Sequence, residues 1–164
     1  MAVNSVPARE SPLDEVQWWS LTDHQKYQGV HSNTVLYYFA DSPFFDRTSN
    51  NAIVWQQCNI TEPEVISTRE NFTNRLMSMS GLEFMVVQEP EITGPGAGTG
   101  VWVIRKQTRR KRPGQEDEII PHASYYVVDP YIYMAPTLAA VMSSRMVSLP
   151  HIFHATLRSL TINS

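Results

Sequence analysis

Apolar residues recur along this chain with two different periods. The clearest run lies near the C-terminus, where Leu138, Met142, Met146, Leu149, Phe153, Leu157 and Leu160 step by four, four, three, four, four and three. Those steps keep every side chain on one helical face. Pro150 interrupts the stripe, and a proline inside a helix loses a backbone hydrogen bond at a cost of ~3 kcal/mol. Ser148 offers a cap for a second helix in which Pro150 sits in the first turn, where the missing N–H is harmless. A kinked helix or two consecutive helices are expected.

The N-terminal half predicts short helices. Val16, Trp18, Trp19 and Leu21 form a small apolar cluster that suits either a strand or one helical turn, and Asp23 to Gly29 reads as polar loop. Ser32 and Asn33 are positioned to cap a helix that carries Val35, Leu36 and Phe39 on one face. Pro43 stops it and pushes Ser42 towards an extended conformation. Thr48 and Ser49 are a second capping signal, before a short helix from Asn50 to Gln57. Thr61 to Glu64 reads as a connector. A third helix is predicted from Glu70 to Met79, with Phe72, Leu76 and Met79 aligned, and Gly81 sits where a helix end needs positive φ.

The period then shortens to two. Leu82 to Gln88, Val101 to Gln107 and Ser124 to Val128 are strand-like, and Tyr131 to Met134 is a fourth candidate after the Asp129-Pro130 turn. Glu89 to Gly100 is rich in glycine and proline, and Thr108 to Pro121 is charged and irregular. Strands joined by loops without helices predict an antiparallel sheet. The fold class is therefore α+β: a sheet of three to four strands, three short N-terminal helices and a long, proline-interrupted C-terminal helical segment. Residues 1–14 are expected to be a flexible tail and 15–148 the α+β domain. In the C-terminal helix at 149–164, Phe153, Leu157 and Leu160 either complete the core or remain for a partner groove. No internal repeat is visible.

Composition narrows the class. The chain has 164 residues, about one domain, and 42% hydrophobic residues, enough for a real core. With 13 basic and 16 acidic residues the net charge is −3, against a whole-protein nucleic-acid footprint. A single cysteine, Cys58, closes no internal disulfide, and Met1 to Ser11 lacks the pattern of a secretory leader. No stretch reaches the ~18 apolar residues of a membrane helix. A soluble intracellular protein without membrane contact is expected.

Two segments carry candidate sites. From Asp41 to Asn51, Ser42-Pro43 ends a helix and Phe44 and Phe45 must be buried or docked. Asp46, Thr48 and Ser49 suit the donors of a helix start, and Asn50 and Asn51 add amides. The first reading is a corner whose aromatics close the domain's own core. The second has Phe44, Phe45 and Arg47 facing a partner, since exposed aromatic and arginine residues anchor interfaces. The other segment is the run Arg105, Lys106, Arg109, Arg110, Lys111 and Arg112, six of the 13 basic residues within eight positions. It reads first as a solvated hairpin protecting a sheet edge. An acidic protein surface is the next reading, then nuclear targeting. Direct nucleic-acid binding is the weakest, because no aromatic residue interleaves to stack a base.

Other chemistry is thinner. His151 and His154 have metal-compatible spacing but lack further ligands nearby. The glycines from 94 to 100 precede a strand and lack the lysine of a phosphate loop. Asn59-Ile-Thr61 and Asn71-Phe-Thr73 fit the glycosylation pattern, which an intracellular chain leaves unused. No nucleophile elbow or kinase motif is present, and neither a catalytic residue nor a cofactor is expected. The rival class is a small ligand-binding domain or enzyme with a pocket lined by Trp55, Tyr125, Tyr126 and Tyr133.

Four blocks resemble one known family. The stretch Thr34-Val-Leu-Tyr-Tyr-Phe-Ala-Asp-Ser-Pro-Phe-Phe-Asp-Arg-Thr-Ser-Asn-Asn51 resembles the signature of subunit six of Mediator. Met79-Ser-Gly-Leu-Glu-Phe-Met-Val-Val87, Trp102-Val-Ile-Arg-Lys-Gln-Thr-Arg109 and Tyr125-Tyr-Val-Val-Asp-Pro-Tyr-Ile-Tyr-Met-Ala-Pro136 follow in that family's order. Together they span about Trp18 to Val147. The linker 91–100 and the loop 111–122 are longer than the family's shortest forms, at positions where insertions are tolerated. The resemblance implies a non-enzymatic nuclear subunit of the Mediator head module. Its implied partners are other head and middle subunits and, directly or indirectly, RNA polymerase II. Many members of the family carry a longer C-terminal tail.

Overall fold

A computed structural model describes residues 17–90 and 100–136. The tail at 1–14, the glycine linker, the C-terminal helix at 149–164 with Phe153, Leu157 and Leu160, and the His151/His154 pair lie outside the described residues.

Five strands form one antiparallel sheet: β1 (Gln17–Trp18), β2 (Gly81–Gln88), β3 (Trp102–Arg110), β4 (Glu118–Val128) and β5 (Tyr131–Met134). Their spatial order is β1-β5-β4-β3-β2. The sheet thus has one strand more than the three or four expected, because the cluster around Trp18 divides. Gln17 and Trp18 pair with Tyr133 and Ile132, and a helix follows at once. β3 and β4 also run into both ends of Thr108 to Pro121, which was expected to be irregular. There the register sets Arg109 opposite Ile119 and Arg110 opposite Glu118. Charge hid the ladder, since a strand tolerates charged residues when cross-strand partners answer them.

Among the described residues, the helices before the main strands number five rather than the three expected there: α1 (Leu21–Lys26), α2 (Val35–Ala40), α3 (Asn50–Thr61), α4 (Pro63–Ser67) and α5 (Arg69–Met77). α1 replaces most of the loop expected at 23–29. Its cap is Ser20, whose Oγ accepts from the Asp23 N–H, and Asp23 suits the positive end of the helix. α2 begins after Thr34, not after a Ser32-Asn33 cap; the Asn33 Oδ1 instead accepts from the Arg69 N–H at the start of α5. Ser49 caps α3 as expected, but the helix continues to Thr61 and leaves only Glu62 before Pro63 opens α4. Pro at a first helical position costs no hydrogen bond. Gly81 has φ +124°, yet it opens β2 rather than closing α5, which ends at the Ser78 cap.

Side chains alternate across a strand, so the sheet has two unlike faces. Phe84, Trp102, Ile104, Tyr125, Val127 and Ile132 point to the helical side. There they meet Val35, Leu36, Tyr38 and Phe39 of α2, Val54 and Cys58 of α3, and Phe72 and Leu76 of α5. Burying each large apolar side chain contributes about 1.5–3 kcal/mol, which outweighs the low propensity of such short helices. Tyr38 ties the start of the chain to the far end of the sheet. Its hydroxyl accepts from the Ser20 N–H at 3.2 Å and donates to the Pro130 carbonyl at 2.6 Å.

Candidate functional site

The corner between α2 and α3 turns most of its polar groups inward. The Ser42 hydroxyl donates to the Phe39 carbonyl at 2.6 Å and is buried. Phe44 stacks obliquely on Tyr125, with centroids 5.3 Å apart. Phe45 lies between Phe84 at 5.3 Å and Trp55 at 5.5 Å. Both rings are half-buried against the core. One Asp46 oxygen accepts from the Thr48 N–H at 2.9 Å and the Thr48 hydroxyl at 2.6 Å, and the other accepts from Lys106 Nζ at 3.2 Å. The bonds from Thr48, then that from Lys106, hold the Asp46 carboxyl down to about 2.

The two asparagines close the corner onto the sheet. Asn50 Nδ2 donates to the Ser80 carbonyl at 3.1 Å. Asn51 is fully buried; its Oδ1 accepts from the Phe84 N–H at 2.8 Å and its Nδ2 donates to the Phe84 carbonyl at 2.9 Å. Phe84 lies on β2, the last strand of the sheet, so this bond pair occupies the ladder's outer edge. Arg47 alone of the signature side chains is exposed with no ion-pair or hydrogen-bond partner among the described residues.

The basic run is largely answered within the chain. Because β3 lies between β2 and β4, it does not protect an edge as expected. Lys106 faces the helical side, with Nζ 5.7 Å from the Phe84 ring centroid and bonded to Asp46. Arg105, Gln107 and Arg109 lie on the other face. The Arg105 Nε donates to Gln107 Oε1 at 2.6 Å, and Gln107 Nε2 donates to Glu83 Oε1 at 2.7 Å. Arg109 is buried, with Nη2 2.7 Å from fully buried Glu83 and Nη1 2.9 Å from Asp117. Burial opposes the Arg109 charge, but bonds to Glu83 and then Asp117 outweigh it and raise its pKa. Asp117 is held below the usual carboxylate range by Lys111 first and Arg109 second. Arg112 pairs with Glu118 at 2.7 Å, and exposed Arg110 reaches the same carboxylate at 3.9 Å.

The aromatic pocket of the rival reading is not assembled. Tyr125 is buried in the core, whereas Tyr126 and Tyr133 project from the opposite face of the sheet, and Trp55 lies among the helices. Trp55 instead belongs to a concavity that the sequence did not reveal. Two adjoining hollows of about 360 and 630 Å³ share Tyr27, Tyr37, Trp55 and Ile66 as lining. The first is bounded by Arg69 and Phe72, the second by Phe45 and Arg47. Rings of Tyr37, Trp55 and Phe72 stack in file, at 5.0 and 5.1 Å between centroids. Also unforeseen were Glu83 and Gln107. The available signal was Glu83, a lone carboxylate inside an apolar strand. Among the described residues, no cluster of three His, Cys, Asp or Glu side chains could hold a metal. No helix there is long and apolar enough to cross a membrane.

These features define the class: a small α+β domain whose aromatic core is closed by one sheet and five short helices, with a charged hairpin and an aromatic trough at its surface. A family model described as "MED6 mediator sub complex component" matches residues 16–163. The chain belongs to the Mediator subunit 6 family. It is 55% identical over 157 residues to Mediator of RNA polymerase II transcription subunit 6 from Neurospora crassa, covering 89% of this chain and 43% of that protein. The Emericella nidulans protein of the same name is 48% identical over 148 residues, covering 84% of this chain and 46% of that one. The chain thus spans about half the length of these relatives. The solved Schizosaccharomyces pombe Mediator subunit Med6 superposes with a TM-score of 0.59 at 25% identity, covering 93% of this chain and 98% of that one. A chain in the structure of the S. pombe Mediator head module gives 0.63 at 26% identity, covering 91% and 89%.

Proposed function

We propose that this chain is a non-catalytic subunit of the Mediator head module and acts in RNA polymerase II transcription by protein–protein contact. The observation that carries this reading is the fold it shares, over nine-tenths of its length, with a chain in the S. pombe head module structure. Its partners are other head and middle subunits, with RNA polymerase II bound directly or through them, and its place of work is the nucleus.

The chemistry of the surface agrees with that role. The corner and hairpin satisfy their own polar groups, leaving Arg47, Arg110 and the trough as recognition features. Several modest interfaces of this kind hold modules in a fixed geometry through effective concentration. Outside the domain at 15–148, residues 149–164 offer Phe153, Leu157 and Leu160 to a partner groove. Direct nucleic-acid contact has no part in this reading, since the acids at Glu83, Asp117 and Glu118 neutralise most of the basic run.

The test is affinity purification of the tagged chain from nuclear extract, followed by mass spectrometry of co-purifying proteins. Head and middle subunits of Mediator are expected. Their absence from a preparation in which the chain is folded would overturn the proposal.

A further inference from the structure

We infer that the trough between the turn at Tyr27 and the α2–α5 helices takes an extended peptide segment of a neighbouring protein, one that combines apolar or aromatic anchors with a carboxylate set against Arg47. This deepens the assembly reading, on which it rests, by naming a surface and the chemistry of its occupant.

The floor carries the first part of the argument. Tyr27, Tyr37, Trp55 and Phe72 stand in file, with successive centroids 6.3, 5.0 and 5.1 Å apart and each plane tilted from the next by 25°, 25° and 10°. Tyr37, Trp55 and Ile66 are half-buried although they adjoin the core, so they present apolar surface inside a concavity. Flat rings in a row suit proline, aromatic or branched side chains spaced along an extended backbone.

Polar groups at the rim carry the second part. Most are already satisfied within the chain. The Tyr37 hydroxyl donates to the Ile66 carbonyl at 3.3 Å, and the Tyr27 hydroxyl donates to Asp41 at 2.7 Å. Asp41 also takes Lys26, and Arg69 takes Glu89. A small polar ligand would therefore find few groups to orient it. Among the charged side chains of the rim, Arg47 is the exception. It borders the larger hollow, is exposed, and has no acidic partner among the described residues. An apolar floor with one uncompensated cation at its end is complementary to an apolar segment bearing an acid, and a guanidinium fork binds a carboxylate bidentately.

The experiment uses two labelled synthetic peptides of about 15 residues, long enough to cross the trough extended. One alternates Glu and Asp with Phe, Leu and Pro; the other has the same order with Gln and Asn for the acids. Each is titrated into the 164-residue chain by fluorescence anisotropy, with the Trp55 indole signal followed by NMR. The acidic peptide should bind and shift that signal, and the amide peptide should bind about tenfold more weakly. Arg47→Glu should weaken the acidic peptide by at least about tenfold and leave the melting temperature unchanged, whereas Arg112→Glu, on the hairpin, should not alter binding. Equal affinity for both peptides, unaltered binding by Arg47→Glu, an equal loss with Arg112→Glu, or no binding of either peptide would overturn the inference. Any of these would leave co-purification with head subunits intact. Failure of co-purification would sink the assembly reading while the peptide affinities stood.

Discussion

The signature corner at 42–51 and the basic run at 105–112 look alike in sequence, since both concentrate groups that suit a partner. In the structure they differ in where the groups are used. The corner lies on a turn and folds its amides, hydroxyls and rings back onto the sheet, leaving Arg47 outside. The run lies on a strand, so alternation distributes its charges. Lys106 goes to the helical side, Arg109 is buried beside Glu83 on the other, and Arg110 is exposed on the rising hairpin. The two regions meet in one bond, from Lys106 to Asp46. The lesson is that residue type announces a polar task, while backbone geometry decides whether the task is internal.

Breaking the internal tasks should cost most. Arg109→Ala strands the Glu83 carboxylate with one amide partner and should lower unfolding free energy by about 3–5 kcal/mol in urea melts. The double variant Glu83→Leu/Arg109→Met removes both charges and should be more stable than Arg109→Ala, since apolar replacement of a whole buried pair is often neutral. Asn51→Ala leaves the Phe84 N–H and carbonyl without their partner and should cost about 2 kcal/mol in the same assay.

The link between the regions should show in pH. Asp46 is held at about 2, against an ordinary 3.8. A carboxylate with a depressed folded pKa stabilises above its unfolded value and loses that contribution as pH falls through the folded one. Unfolding free energy should therefore decline between about pH 4 and pH 2 more steeply in the parent than in Asp46→Ala. The smallest stability effects belong to the external charges. Arg47→Ala and Arg110→Ala should each stay within about 0.5 kcal/mol of the parent. Arg47→Ala should nevertheless weaken incorporation into a reconstituted head module, measured by pull-down, and Arg110→Ala should weaken it less.

Among the described residues, helix and strand positions were legible where apolar periodicity was strong. α2, α3, α5 and the cores of β2, β3 and β4 stand near their expected places, and Pro43 and Ser49 mark real boundaries. α1 was obscured because its six residues bury no side chain; a Ser20–Asp23 cap was its only signal. The ends of β3 and β4 were obscured because Arg109, Arg110 and Glu118 break the apolar alternation, and cross-strand partners support them instead. Of the candidate site, the capping by Ser49 and the aromatic packing of Phe44 and Phe45 could be read locally. The Asn51–Phe84 and Arg109–Glu83 bonds join residues 33 and 26 positions apart, and no local pattern announces them. The trough was hidden for the same reason, since its rings come from four separate helices or turns.

Asn51 has one more consequence. Its side-chain amide presents to Phe84 the donor and acceptor that a sixth strand would have brought, acting as a counterfeit neighbour one residue long. A hydrogen-bond ladder finished in this way offers no template there to a second copy of the chain. In the many-subunit assembly proposed for this chain, such a seal would guard the domain against strand exchange and fibril growth at this point of its edge.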